Sequence, residues 1–512
     1  MTNPTPAPDP LLPVDSTLTP HSVQGQPRGI YTLFFTEMWE RLSYYGMRAL
    51  LVLFMVDQVK KGGMGLTDET ATAIYGLYTA GVYLAALPGG WIADRLLGAQ
   101  RAIWVGGTLI AAGHFCLGIP LVQTFFLGLV LIVLGTGLLK PNISALVGQL
   151  YPEGGARRDA GFTIFYMGIN LGAALGPLVC SSLGEKLNWH YGFTAAGVGM
   201  VLGLVQFHFT RHHLGAAGRA PGHRSISVAR DWTLIGVALG VLALIVVLAM
   251  TGLLVINPLR LGKFTVWMIL AMAIGYFAWA FLFAGLDATE KKRVVVIAVL
   301  FLASAMFWSG FEQAGSSLNL FGERHTQRII PAGVAGLKKA FEFPAGWFQS
   351  LNSIFVIALA PVVAALWTLL ARRNASPSLT VKVSWGLLML AAGFLVLAFG
   401  AKHAISTGPV WPTWLIATYL LHTIGELFLS PVGLSAVTKL APARLVGQMM
   451  GIWFLGTSLG NLIAGLFAGE VSGDNTAAMP ARFLQVVMTA GGTGLILLLF
   501  TKPIRKLMAG VR

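Results

Sequence analysis

Seven charged side chains stand inside otherwise apolar stretches of this chain: Glu37, Glu40, Arg41 and Arg48, then Lys140, Glu312 and Glu426. A charge in a hydrocarbon environment costs a few kcal/mol on insertion scales, so each needs a polar interior or a partner. In the first stretch, Glu37, Glu40, Arg41, Tyr44, Tyr45 and Arg48 fall at i, i+3, i+4, i+7, i+8 and i+11. A helix therefore gathers them on one face, which cannot point at lipid. Four carboxylates and three bases form an almost balanced set. Such a set suits pairs that form and break, because a proton on a carboxylate removes its attraction for the base. The chemistry this points to is proton-linked handling of a charged solute.

The elements that must position these groups are membrane helices. The chain of 512 residues is 55% hydrophobic and only 11% charged, where a soluble protein would carry about a quarter charged residues. Apolar runs near 30–56, 71–93, 102–119, 124–150, 161–184, 190–210, 232–256, 264–286, 294–320, 346–371, 382–401, 411–437, 447–469 and 483–501 each fit a span of about 20 residues. Lys and Arg gather roughly two to one on one set of alternate loops, Lys382, Lys439, Lys502 and Arg505 among them. That bias expects both termini on the cytoplasmic side. The same loop charges explain the net charge of +15 without nucleic acid. Cys116 and Cys180 lie in apolar segments, so no disulfide framework is indicated.

The domain reading divides the chain into a disordered cytoplasmic tail at 1–27 with no cleavable signal, a six-helix bundle at 28–213 and a basic loop with an inserted hairpin at 214–293. A second six-helix bundle follows at 294–505, then a short tail at 506–512. The hairpin spans carry no charge between Trp232 and Leu259 or between Phe264 and Leu286, and are expected to face lipid away from the chemistry. With the hairpin set aside, the buried charges lie only on the first, fourth, seventh and tenth of twelve core spans. Those begin the four three-helix units of a transporter built from nested repeats, and they line its central cavity. The expected fold is thus an all-α integral membrane protein with two six-helix bundles and about 14 spans. Trp308, Trp453, Thr457, Asn461, Asn170, Asn352, Tyr75, Tyr78, Tyr83 and Tyr166 sit on neighbouring spans, giving the cavity polar and aromatic walls suited to a zwitterion. His114 and His422 are read as structural.

Glu37-x-x-Glu40-Arg41-Leu-Ser-Tyr44-Tyr45-Gly46 resembles the E-x-x-E-R-F-x-Y-Y-G motif of the proton-dependent oligopeptide transporters, a branch of the major facilitator superfamily. Gly89-Gly90-Trp91-Ile92-Ala93-Asp94-Arg95, Gly137-Leu-Leu-Lys140-Pro141-Asn142 and Phe165-Tyr166-Met167-Gly168-Ile169-Asn170-Leu171-Gly172 resemble further motifs of that family. The resemblance runs from about residue 28 to 500. It implies a major facilitator fold and proton-coupled import of di- and tripeptides by alternating access, with a proton as the co-transported species and no other cofactor. It further implies that Glu37, Glu40, Arg41 and Glu312 couple protons, and that Lys140 and Arg41 attract the peptide carboxylate. Glu426 with Asn170 and Asn352 would receive the amino terminus, while Tyr44, Tyr45, Tyr83, Trp308, Trp453 and Thr457 shape the pocket. Arg48 with Glu312 would form the outer gate and Lys140 with Glu426 the inner one.

Leu42 replaces the motif's usual Phe. Gly76 follows Tyr75 where animal members carry a proton-binding His, so coupling through His is not expected. The other solute classes on this scaffold are small anions or metabolites such as nitrate or an amino acid. A membrane enzyme is disfavoured because no metal-ligand spacing, nucleophile elbow or phosphate loop occurs. The expected setting is the bacterial cytoplasmic membrane, with lipid as the surroundings and a monomer as the working unit.

Overall fold

The computed structural model describes residues 22–23, 25–153, 155–219, 228–333, 339–472 and 476–510. Their long helices are α1 (Arg28–Val56), α2 (Asp68–Ile92), α3 (Ala99–Leu117), α4 (Val122–Gln149), α5 (Gly155–Lys186), α6 (Trp189–Thr210), α7 (Val228–Met250), α8 (Pro258–Phe283) and α9 (Ala288–Phe311). After the short α10 (Ser317–Arg324) come α11 (Ser350–Arg372), α12 (Leu379–Thr407), α13 (Thr413–Leu440), α14 (Val446–Ser472), α15 (Met479–Leu499) and the short α16 (Thr501–Leu507). Among the described residues, 12 helices are long and apolar enough to cross a membrane. α1 falls outside that set because its charges interrupt every long apolar window, and α3 because Gln100, Arg101 and His114 dilute its apolar content. Each apolar run of the sequence thus has its helix.

Local signals set several ends. Thr67 caps α2 by accepting the N–H of Thr70, and Asp287 with Glu290 forms a reciprocal capping box at the start of α9. Asn257 caps α8 and Pro258 occupies its first position, so this helix starts six residues before the apolar run and includes Arg260 and Lys263.

Helices α1 to α6 pack around two apolar clusters, one containing Met47, Ile74, Ile132 and Phe193 and the other Ile103, Leu139, Ile143 and Met200, and α9 to α15 around a third containing Phe307, Leu390, Phe394 and Phe483. The crossing of α1 and α5 depends on small residues. A Cβ at Gly176 would lie 2.8 Å from the amide nitrogen of Gly46, and one at Gly172 would strike the carbonyl of Met38. Backbones therefore meet directly where the charged face of α1 begins.

Three features differ from the sequence expectation. First, the seventh core span is not one helix. α9 ends at Phe311, a 3₁₀ turn covers Glu312–Gly315, and the chain resumes as α10. Gly310, Gly315, Ser316 and Ser317 make the break inexpensive, and Ser316 leaves helical geometry at ψ −99°. Second, the hairpin is only half lipid-facing. Of α7 only Asp231 is buried, and it lies 3.4 Å from Arg95 just past the end of α2. α8 buries Ile269 and Ala273 against Ala80 of α2, Phe301 and Ala305 of α9 and Leu459 of α14. It covers the seam between the two bundles, because its alanines admit close packing. Third, within the expected tail the described residues 22–23 and 25–27 make defined bonds, residue 24 lying outside the described residues. Ser22–Val23 pairs antiparallel with Gln26–Pro27, Tyr151 donates to Gln26 at 2.8 Å, and Arg157 donates to the Gly25 carbonyl at 2.8 Å. Residues 1–21 lie outside the described residues, as do 220–227 of the basic loop and 511–512 of the second tail. Residues 506–507 of that tail continue α16.

Candidate functional site

On α1 the helical spacing places Glu37, Glu40 and Arg41 in one buried cluster. Arg41 Nε lies 2.8 Å from Glu37 Oε1 and 2.7 Å from Glu40 Oε2. One guanidinium edge thus holds two carboxylates. Among the described residues, Glu37 Oε2, both Glu40 carboxylate oxygens and Arg41 Nη2 are buried without a hydrogen-bond partner, the Arg41–Glu40 contact being an ion pair. Leaving charged atoms uncommitted is costly in a packed interior, so the cluster has capacity for a further charged or protic group. Tyr44 lies under Arg41, 5.6 Å from its guanidinium carbon to the ring centre. Tyr44 in turn packs against Tyr45 and Tyr78.

Two turns along α1, Arg48 faces the helix break. Its Nη2 lies 3.1 Å from Glu312 Oε2, with both side chains less than a tenth exposed. Arg48 Nε donates to the Tyr75 hydroxyl at 2.7 Å, and that hydroxyl donates to the Glu312 carbonyl at 3.3 Å. The unwound backbone therefore supplies an acceptor that a continuous helix would keep for itself. Tyr45 and Tyr75 flank the guanidinium at 5.5 and 5.9 Å. Tyr75, one of the cavity aromatics expected from the sequence, is thus also a bonding partner of Arg48, which spacing alone does not indicate.

On the opposite wall, Glu426 Oε2 accepts from Asn352 Nδ2 at 2.9 Å, and Asn352 also donates to Thr423 Oγ1 at 3.1 Å. Thr423 is a further member of the site that sequence reasoning missed. It stands one turn before Glu426 in an apolar run, and nothing in the spacing alone distinguishes it. Lys140 does not pair with Glu426, contrary to the inner-gate expectation. Its ammonium instead sits 4.0 Å from the centre of the Tyr83 ring, while Glu426 is held by Asn352. Asn170 does not reach Glu426 either. Its amide donates to the Tyr166 carbonyl one turn earlier, at 2.9 Å.

Trp308 leaves its indole Nε1 buried and unpartnered. Asn461 is fully buried with both amide atoms unpartnered. Trp453 packs its ring where a side chain on Gly433 would stand, and Thr457 donates weakly to the Trp453 carbonyl at 3.5 Å. His422 is buried beside Phe394 and Phe311, and His114 is buried on α3 beside Gly197. Neither contacts the charge set by a hydrogen bond or ion pair among the described residues. No group of three His, Cys, Asp or Glu side chains converges on a metal site among them.

The two ends of the molecule differ. At the end bearing Asp68, bonds join the bundles repeatedly. Arg324 pairs with Asp68 at 2.6 Å, Lys186 with Glu342 at 3.2 Å, and Glu185 accepts the N–H groups of Ala345 and Gly346 at 2.7 and 2.9 Å. Asn319 donates to the Ala49 carbonyl and Ser350 to that of Ala174. At the end bearing Arg95, ion pairs among the described residues stay within a bundle or run to the hairpin, as Arg444–Glu290 and Arg95–Asp231 do. Bonds thus cross between the bundles at the first end, and Lys140 and Glu426 are not paired with each other.

The family model described as PTR2, the POT family, matches residues 100–479. A peptide transporter of Yersinia enterocolitica is 42% identical over 96% of this chain and 98% of its own. A di-/tripeptide transporter of Lactococcus lactis subsp. cremoris is 36% identical over 95% of this chain and 98% of its own. Among solved structures, a peptide transporter POT in complex with sulfate superposes with a TM-score of 0.87 at 42% identity, covering 96% of this chain and 97% of that one.

Proposed function

The chain belongs to the POT family of multi-pass membrane transporters, with the major facilitator fold, and from that premise we propose that it imports di- and tripeptides together with protons. The relatives are named as peptide and di-/tripeptide transporters. The observation that carries the reading here is the division of the charge set. Arg41 and Lys140 supply bases from the first bundle and Glu426 a carboxylate from the second, not paired across the gap between them, while Arg48 and Glu312 are closed on each other. A zwitterionic peptide spans that gap, with its carboxylate toward Arg41 and Lys140 and its amino terminus toward Glu426.

The loop charges support the Asp68 end outside and the Arg95 end in the cytoplasm, and the bacterial relatives support a bacterial cytoplasmic membrane. The structure then corresponds to the inward-facing state. A proton on Glu40 or Glu37 releases part of the hold on Arg41, freeing it for the peptide carboxylate. A proton on Glu312 releases Arg48 and, with it, the outer seal. Each proton carried inward gains about 2.3 kcal/mol per 100 mV of membrane potential. The fixed acceptor at Glu426 favours an amine-bearing solute over nitrate. No further cofactor enters the scheme, and one chain contains the complete charge set, so a monomer suffices.

Reconstituted in liposomes, the protein is expected to concentrate labelled dialanine when the outside is made acidic. Unlabelled dialanine and trialanine should compete, while nitrate should not. Competition by nitrate with none by dialanine would assign the site to an anion.

A further inference from the structure

The end of the second bundle bearing Lys439 contains another hollow, apart from the charge set described above. Its volume is about 1000 Å³, and Asn374, Ser378, Lys382, Ser435, Lys439 and Arg505 contribute its polar wall. Ser435 and Lys439 belong to one stripe of α13, spaced i and i+4. A smaller hollow of about 510 Å³ adjoins it through Ser378 and Arg505, adds Lys502, and is bordered by Leu498 and Leu499 of α15. Leu499 is 79% exposed, so the basic hollow opens onto an apolar strip at the membrane boundary.

Among the described residues these cations have no carboxylate at ion-pair distance. No Asp or Glu occurs in residues 361–384, 427–445 or 491–512. No ion pair among the described residues involves Lys382, Lys439, Lys502 or Arg505, whereas the neighbouring Arg444 has Glu290. Among the described residues, Lys382 lies against the Trp367 ring, 4.6 Å from its ammonium. Ser378 stands at the cap position of α12 without making a capping bond, and its Oγ is buried without a partner. The first amides of α12 therefore keep their positive end free beside the lysines. Topogenic charge requires Lys and Arg on a cytoplasmic loop. It does not require them to converge on one hollow with an uncommitted hydroxyl and an uncapped helix end.

We propose that this hollow binds a phosphoryl anion, with Lys382, Lys439 and Arg505 around the phosphate and Ser378 with the start of α12 beneath it. An anionic phospholipid headgroup and free inorganic phosphate both present that chemistry. The exposed leucine strip would lie along the acyl chains of the first.

The test uses the full chain in mild detergent. Dioleoyl phosphatidylglycerol and dioleoyl phosphatidylcholine are titrated by native mass spectrometry, and inorganic phosphate by thermal shift. The wild type should prefer phosphatidylglycerol over phosphatidylcholine by at least about tenfold. The combined variant Lys382→Gln/Lys439→Gln/Arg505→Gln should lose that preference. Lys439→Glu, at an exposed position, repeats the test with a single change if the combined variant melts early. Stabilisation by inorganic phosphate that disappears in the same variants supports the site and assigns it to the free ion. Equal binding of both lipids to the wild type, with no effect of phosphate, would overturn the proposal. So would an undiminished lipid preference in the variants.

Discussion

Arg41 sits between two carboxylates, and Arg48 between a carboxylate and a phenol. The same helix thus presents two guanidinium groups with different partners. The Glu37–Arg41 contact was legible directly, because i and i+4 on a helix must meet. The Arg48–Glu312 pairing came from family resemblance, since no local rule joins positions so far apart. Tyr75 was not legible as Arg48's partner, because a hydroxyl on α2 is identified only when the bundles are docked. At this scale two outcomes are expected. Glu426→Gln removes the negative charge proposed to receive the peptide amine, a charge-assisted contact worth about 1.5–3 kcal/mol. The half-saturation concentration for dialanine should therefore rise by roughly tenfold or more, while an N-acetylated dipeptide, already lacking the amine charge, should be little affected. Tyr75→Phe removes the 2.7 Å bond to Arg48, loosening the outer seal. Labels placed across the Asp68 end should then show a larger open fraction than in the wild type, and an unchanged distribution would mean that the phenol only fills space.

At the scale of elements, run length and capping chemistry announced the helices, and the structure supplies the close approaches between them. α2 and α14 meet where a Cβ on Gly465 would lie 2.5 Å from the Cα of Gly76. Gly465→Val must push apart the two helices that α8 covers. It should lower stability by about 1–3 kcal/mol, as overpacking does, read as a lower melting temperature in detergent. Gly236→Ala on α7 is the contrast, because nothing lies within 4 Å of the added methyl. It should leave melting unchanged or raise it slightly, since the unfolded chain loses freedom. The break at Glu312 was hidden because glycine and serine are common in continuous membrane helices too. The seat of α8 was hidden for a related reason. A span without charge reads as lipid-facing whether its alanines meet lipid or another helix.

For the whole molecule, the repeat of buried charge on the first, fourth, seventh and tenth core spans was legible in the sequence. Which end would be closed was not. Lys140 and Glu426 are compatible with being paired or apart, and the choice depends on the conformational state rather than on residue type. In this structure the Asp68 end is bonded across the bundles, and Lys140 rests on Tyr83. Spin labels at the exposed Ser144 on α4 and Thr438 on α13 should therefore report a long separation in the resting protein. Acid pH with dialanine should add a population with a shorter separation as the cytoplasmic end closes. A single distance under every condition would contradict alternating access.

The central claim is that this charge set moves a proton with each peptide. Liposomes containing the purified protein and a trapped pH-sensitive dye test it most directly, with the membrane potential clamped and no initial pH gradient. Adding dialanine outside should acidify the lumen as the peptide enters. Glu312→Gln, which fixes one proton-linked carboxylate in a neutral form, should suppress that acidification. Dialanine entry by the wild type with no change in lumen pH would contradict the account.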